Sequence, residues 1–306
     1  MFGRSFLNGK SALSQISWFI GITLVVLLFS TLLSVLIAIP FFGMDVIQDM
    51  QNMSAGNITD HMALAKYLQI TNHIGMMVIP AIIFAWFAGK SVSSYMYLDH
   101  SPAPRTFFSI ILISFVSIPF LSGIVEWNMN LTLPESMKGI EEWMRLKEDE
   151  AKFLTDAILS EKSLEALLMN MFMIAVVPAF SEEFVFRGVL YRILNKGFRN
   201  PHVAIIFASI LFSAIHMQFY GFFPRFLLGM MFGYMVYFTG SIWPAMLAHF
   251  LNNGSAVIAG FVTDSTEIEQ ELEGIGATSF LGMVLSLGLT LYLFYSIYKT
   301  EKKRAL

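Results

Sequence analysis

Ser181-Glu182-Glu183-Phe184-Val185-Phe186-Arg187 sets two adjacent carboxylates and an arginine in a stretch that is almost wholly apolar from Leu167 to Phe180. A charge at the centre of a membrane-spanning helix costs about 2.5–3.5 kcal/mol on insertion scales, so three of them need partners, water or a task. Two more polar patches stand in apolar segments, Phe212-xxx-His216 and His249-xxx-Asn253. A carboxylate, two imidazoles and an amide gathered in apolar surroundings suit hydrolysis of an amide bond. One route is metal-assisted. Glu182, His216 and His249 are then possible ligands of a zinc-type ion that keeps an open position for water and lowers its pKa to about 7. The other route needs no metal: Glu182 and a neighbouring imidazole deprotonate water, while a second imidazole and Asn253 stabilise the oxyanion. The one-helix HExxH zinc motif is absent.

These groups can act together only if their helices bring them to one depth. The segments carrying Glu182 and His216 are joined by a turn with Gly197 and Pro201 as breakers. The two residues stand 17 positions to either side of Arg199. In an antiparallel hairpin of equal rise, equal offsets mean equal depth, so Glu182 and His216 are expected to face each other. His249 and Asn253, four apart, share one helical face. Counted from Ser241, His249 lies about 12 Å along its helix at ~1.5 Å per residue. All the polar groups can then converge in the inner half of a membrane.

That a membrane is involved follows from composition. Of 306 residues, 56% are hydrophobic and only 13% charged, which is not a soluble globular balance. The expected fold is all-α, a polytopic membrane protein of eight spans near 16–42, 72–89, 106–126, 163–195, 202–219, 222–240, 242–262 and 278–298. The first is too long for a signal-peptide core. Three regions are expected: 1–162 with spans one to three and an outer loop, 163–262 as the polar core, and 263–306 with an acidic outer loop, the last span and a basic tail. Residues 127–162 open on Leu133-Pro134-Glu135-Ser136, a helix start, and read as an interfacial amphipathic helix or a solvated charged one. With the N-terminus inside, the inner segments hold eleven basic residues against two acids, and the outer ones seven against eighteen. Both termini are therefore expected in the cytoplasm. The absence of cysteine excludes disulfides, thiolate zinc sites and cysteine nucleophiles. The basic residues form no stripe, so no nucleic-acid partner is expected.

Taken in order across consecutive spans, Glu182-Glu183-xxx-Arg187, Phe212-xxx-His216 and His249-xxx-Asn253 resemble the CPBP family. This is the group of CAAX prenyl endopeptidases, bacteriocin-processing enzymes and lysostaphin-resistance-type proteins. The resemblance covers roughly residues 165–262. It implies an intramembrane endopeptidase of about eight helices, with a site open to the cytoplasmic side, in a bacterial cytoplasmic membrane. Carried over, Glu182 would activate water with His216, His249 and Asn253 would support the oxyanion, and Glu183 and Arg187 would complete the first motif. The family is named for metalloproteases, but a glutamate-dependent route without direct metal ligation competes, since Asn253 is a poor zinc ligand and a good oxyanion donor. The implied partners are membrane lipid and a membrane-anchored, prenylated (CAAX-type) or leader-peptide substrate.

Plainer readings stand beside these. Glu183 and Arg187 are at i, i+4 and can simply neutralise each other. Phe212 reads as packing that borders the pocket. Asn252 could stand in for Asn253, although helical spacing from His249 favours Asn253. His61, His73, His100 and His202 lie in or near loops and read as ordinary. Gly229 and Gly233 form a small-xxx-small pair for close helix packing. The other functional classes are a non-catalytic membrane scaffold or immunity factor and a proton-coupled transporter. A transporter is expected to show repeats or paired broken helices, and the sequence shows no repeat.

Overall fold

The computed structural model describes residues 5–54, 57–263 and 279–304, which contain helices and no strand. Helix α1 (Ala12–Phe42) begins at Ser11, whose hydroxyl accepts from the Ser14 N–H and so satisfies one of the first turn's free donors. Leu24, Leu28, Leu32 and Leu36 of α1 are exposed. In water they would be a liability; against acyl chains they are the expected surface. Helical residues Thr59–Ala88 form α2, Pro104–Val116 and Ile118–Met129 form α3 and α4, and Lys138–Leu159 forms α5. Then come α6 (Leu164–Phe198), α7 (Pro201–Ala214), α8 (Phe222–Thr239), α9 (Trp243–Val262) and α10 (Phe280–Arg304).

Among the described residues six helices are long and apolar enough to cross a membrane, or seven with α3 and α4 taken as one span bent by 42°. The bend has a local cause: Pro119 lies at the start of α4 and cannot donate to the carbonyl one turn back. The expected count of eight is not reached, because the segment near 202–219 is helical only to Ala214. There the chain turns through Met217 at φ 55°, and the His216 ring bonds the Phe212 carbonyl at 2.8 Å, one of the carbonyls a helix end leaves free. The second span is longer than expected, starting at Thr59 rather than near residue 72.

The two ends of the bundle differ. At one, the Leu7 N–H bonds Phe87 O, Lys196 bonds Asn8 O, the Ile242 N–H bonds Tyr97 O, and Glu301 accepts from the Ala103 N–H and from Thr106. Both described chain ends therefore lie together. At the other end α5 lies across the loops as an amphipathic helix. Trp143 packs on Phe219 at 5.2 Å, Arg145 stacks 4.7 Å over Tyr220, and Glu148 accepts from the Tyr220 N–H at 3.2 Å. Glu141 of α5 accepts from the Leu133 N–H and from Arg145, which hold its carboxyl below the usual range. Most of the acidic loop expected at 263–277 lies outside the described residues.

Helices α7 and α8 pack closely, as the glycine pair leads one to expect. A Cβ on Gly229 would stand 3.0 Å from Ser209 Cβ, and one on Gly233 would stand 2.8 Å from Ile205 Cγ2. Three turns widen to π geometry: Ile74–Val78 in α2, and Met171–Val176 and Phe184–Leu190 in α6. Such bulges gather at functional sites, and these three flank the polar residues.

Candidate active site

Helix α6 carries the two glutamates into the bundle, Glu182 only 6% exposed and Glu183 fully buried. They have different neighbours. Glu183 Oε1 accepts from Arg187 Nη1 at 2.8 Å and faces His249 Nδ1 at 2.9 Å, while its Oε2 is buried without a hydrogen-bond partner. Arg187 in turn donates through Nη2 to the Gly229 carbonyl at 2.9 Å. It can reach that backbone because glycine lets α8 approach. The guanidinium lies 4.7 Å over the Phe212 ring and 5.3 Å over Phe232. The ion pair is thus wrapped in aromatic faces, with α6, α7 and α8 each supplying a wall.

Because the Glu183 carboxylate can only accept, His249 Nδ1 carries the proton, and Nε2 is turned to Glu182 Oε2 at 3.8 Å. That gap exceeds a hydrogen bond. The imidazole is stacked at 19° on Phe232, ring centroids 5.2 Å apart, which fixes its plane. Glu183 therefore holds the histidine, and the histidine presents its second nitrogen to a carboxylate with no hydrogen bond to another side chain among the described residues.

The hairpin expectation that Glu182 faces His216 is not accompanied by a direct bond between them. No hydrogen bond or ion pair joins them among the described residues. His216 stands across Phe212, its ring 5.4 Å from that phenyl, with Nδ1 on the Phe212 carbonyl. The carbonyl is an acceptor, so Nδ1 bears the proton and Nε2 is the free lone pair. Phe212 is accordingly a wall shared by Arg187, His216 and His249.

Asn253 lies one turn beyond His249, with Nδ2 on the Ile174 carbonyl at 3.0 Å and Oδ1 accepting from Asn252 at 3.1 Å. Ile174 lies in the π-widened turn just before Pro178, which has no N–H to give that carbonyl. Asn253 thus replaces a missing backbone donor, and its second amide hydrogen remains for another acceptor. Nor does the zinc reading find its cage: no group of three His, Asp or Glu side chains among the described residues is placed to hold a metal ion. The expected set Glu182, His216 and His249 is not gathered closely enough to fit such an ion as it stands.

One histidine read as ordinary is misplaced by that reading. His73 is not a loop residue: it ends the first part of α2, and its Nδ1 lies 3.2 Å from the hydroxyl of Ser181, the buried neighbour of Glu182. It is within electrostatic range of both His216 and His249. Arg225, on the first turn of α8, is likewise in range of Glu182 and His216. Phe232 was also unforeseen; it sits beside the Gly229/Gly233 pair, the one sequence signal that α8 approaches the site closely. His61, His100 and His202 stay away from it, His202 meeting Tyr234 instead at 3.0 Å.

Neither a curated protein nor a solved structure matches the chain. Residues 164–255, however, match the family described as type II CAAX prenyl endopeptidase Rce1-like. That match takes in α6, α7, α8 and most of α9. Glu182, Glu183, Arg187, Phe212, His216, His249 and Asn253 all lie inside the matched segment, which supports a CPBP-type intramembrane protease core over those residues.

Proposed function

We propose that the protein hydrolyses a peptide bond in a membrane-anchored substrate by a glutamate-activated water, with Glu182 as the base. The observation that supports this is the unequal use of the paired carboxylates. Glu183 is bound by Arg187 and His249, whereas Glu182 faces an imidazole across 3.8 Å with no short bond of its own. A buried carboxylate so placed can take a proton from water while that water's oxygen attacks the scissile carbonyl carbon. The carbonyl electron pair moves onto oxygen, where the free hydrogen of Asn253 Nδ2 and a proton on His249 Nε2 can meet it. His249 must then carry both ring protons, since Nδ1–H is directed at Glu183. Collapse of the tetrahedral intermediate breaks the C–N bond, and the proton on Glu182 passes to the departing amine. His216 Nε2, a free acceptor, orients or assists the water.

The substrate in this reading is a prenylated CAAX-type chain end or a leader peptide, reached from the membrane plane, with both termini of the enzyme in a bacterial cytoplasm. The test is a Glu182→Gln variant in lipid nanodiscs with a farnesylated peptide ending in cysteine and three further residues. Cleavage should fall about 100- to 10,000-fold while thermal unfolding is little changed. Undiminished biological activity in that variant would make the protein a scaffold instead. Chelation with EDTA or phenanthroline should leave the rate within about twofold, as a route without protein-held metal requires; its abolition and restoration by zinc would overturn the mechanism.

A further inference from the structure

Arg225 is a cation in an apolar bundle whose direct partners carry no charge. Its Nη1 donates to the Gln218 carbonyl at 3.1 Å and its Nη2 to Gln218 Oε1 at 2.9 Å. Glu148 and Glu182 act on it only through space. The other arginine of the site differs, since Arg187 is ion-paired with Glu183. An intramembrane cation bound by neutral oxygens alone is a functional-site candidate by default.

Its surroundings are built for it. Gln218 lies two residues after His216, in the non-helical turn between α7 and α8, and Glu148 of α5 reaches the same turn at Tyr220. A Cβ on Gly221 would collide with Arg225 Nη2, so glycine there lets the guanidinium lie flat against the chain. Ser213 bonds the Phe222 carbonyl at 2.6 Å and tightens the turn further. The guanidinium is half-buried, and it shares electrostatic range with both the reactive carboxylate and His216. An arginine fork of this kind matches a carboxylate bidentately.

We propose that Arg225 receives the free C-terminal carboxylate of the peptide substrate, so that the enzyme selects chain ends rather than internal bonds. This rests on the peptidase reading above. With the scissile carbonyl at Glu182, an extended peptide advances about 3.3–3.6 Å per residue toward Arg225, and the anchored carboxylate fixes how far from the end the cut falls. Gln218, now holding the guanidinium, gives up its place to the incoming carboxylate. A leader-peptide substrate, cut far from its C-terminus, would not use this contact.

The experiment compares a farnesylated peptide ending in a free acid with the same peptide as a carboxamide, using the full chain in nanodiscs. Wild type should cleave the acid at least about tenfold faster in kcat/KM. Arg225→Gln should bring the acid-to-amide ratio to near one. Gly221→Ala, which displaces the guanidinium without removing its charge, should lower the ratio in part. Equal cleavage of acid and amide by wild type overturns the proposal, and so does a parallel fall of both with Arg225→Gln, the signature of an arginine that merely holds Glu182. Binding is read separately on the Glu182→Gln protein by fluorescence anisotropy. The acid should bind at least about tenfold tighter than the amide, a preference lost on adding Arg225→Gln; equal binding overturns the proposal. Wild type that cleaves neither peptide yet binds the acid selectively would defeat the peptidase reading and leave the carboxylate contact standing.

Discussion

Glu182 and Glu183 are adjacent in sequence, yet a helix turns neighbouring side chains about 100° apart, and that angle separates the proposed base from its proposed support. Glu183, Arg187 and His249 form a buried unit with no solvent to replace a lost partner. Arg187→Met should therefore destabilise the protein by about 3–5 kcal/mol, because it strands a buried carboxylate. The double variant Glu183→Leu with Arg187→Met should regain much of that, read as unfolding temperature in detergent, while remaining inactive because His249 has lost its holder. A double variant no more stable than the single would show that the pair is not the support argued here. Asn253 has two roles that can be separated. Asn253→Ala removes a side-chain donor from the Ile174 carbonyl, at about 1–3 kcal/mol. Adding Pro178→Ala supplies the missing N–H, so stability should recover while activity does not. Joint recovery of both would reduce Asn253 to a structural prop.

At the scale of elements, helix contacts decide what spacing along one chain cannot. The glycine pair was legible, because it follows from counting residues along a helix. The helix rotation that leaves Glu182 and His216 without a direct bond was not, since it depends on how Gly229 and Gly233 seat α8 against Ser209 and Ile205. Gly233→Ala should cost about 1–3 kcal/mol through overpacking, and Gly229→Ala should also slow cleavage, since its Cβ would stand 3.2 Å from Phe212 Cδ1. Unchanged stability in both would mean the helices are not in the contact described. The π turns leave no readable pattern in sequence, and they shift the face presented by every residue after them. His73 was missed for a related reason: its partner Ser181 is 108 residues away, and α2 begins 14 residues before His73 rather than at it. Helix α5 offers a pH test. Glu141 has its carboxyl held below the ordinary value of 4.5, so its contribution to anchoring α5 is whole above that value and is lost as pH falls through the lower folded one. Hydrogen-exchange protection across residues 133–145, corrected for the intrinsic pH dependence of amide exchange, should fall on acidification in wild type and stay nearly constant in Glu141→Gln.

For the whole molecule, the question is which face of the membrane each end of the bundle meets. The end gathering Lys10, Lys196, Arg199 and the basic run Lys302, Lys303 and Arg304 is cation-rich, and the end under α5 carries Glu141, Glu142, Glu148, Asp149 and Glu150. By the bias of basic loops the first end is expected to face the cytoplasm. The site spans the space between them: Glu182 lies near the middle of α6, and His216 lies past the last residue of α7, toward the α5 end. A substrate tail that reaches Arg225 must therefore cross most of the bundle from the cation-rich side, or slip in laterally between helices. The chain has no cysteine, so single thiols report orientation without background. Asn8→Cys and Lys302→Cys should be shielded from a membrane-impermeant maleimide in intact cells and labelled in inverted vesicles, and Glu142→Cys should do the reverse. Labelling of residues 8 and 302 from outside would turn the bundle over, place α5 in the cytoplasm, and make the turn at residues 215–221 the face from which a cytoplasmic substrate meets the two glutamates.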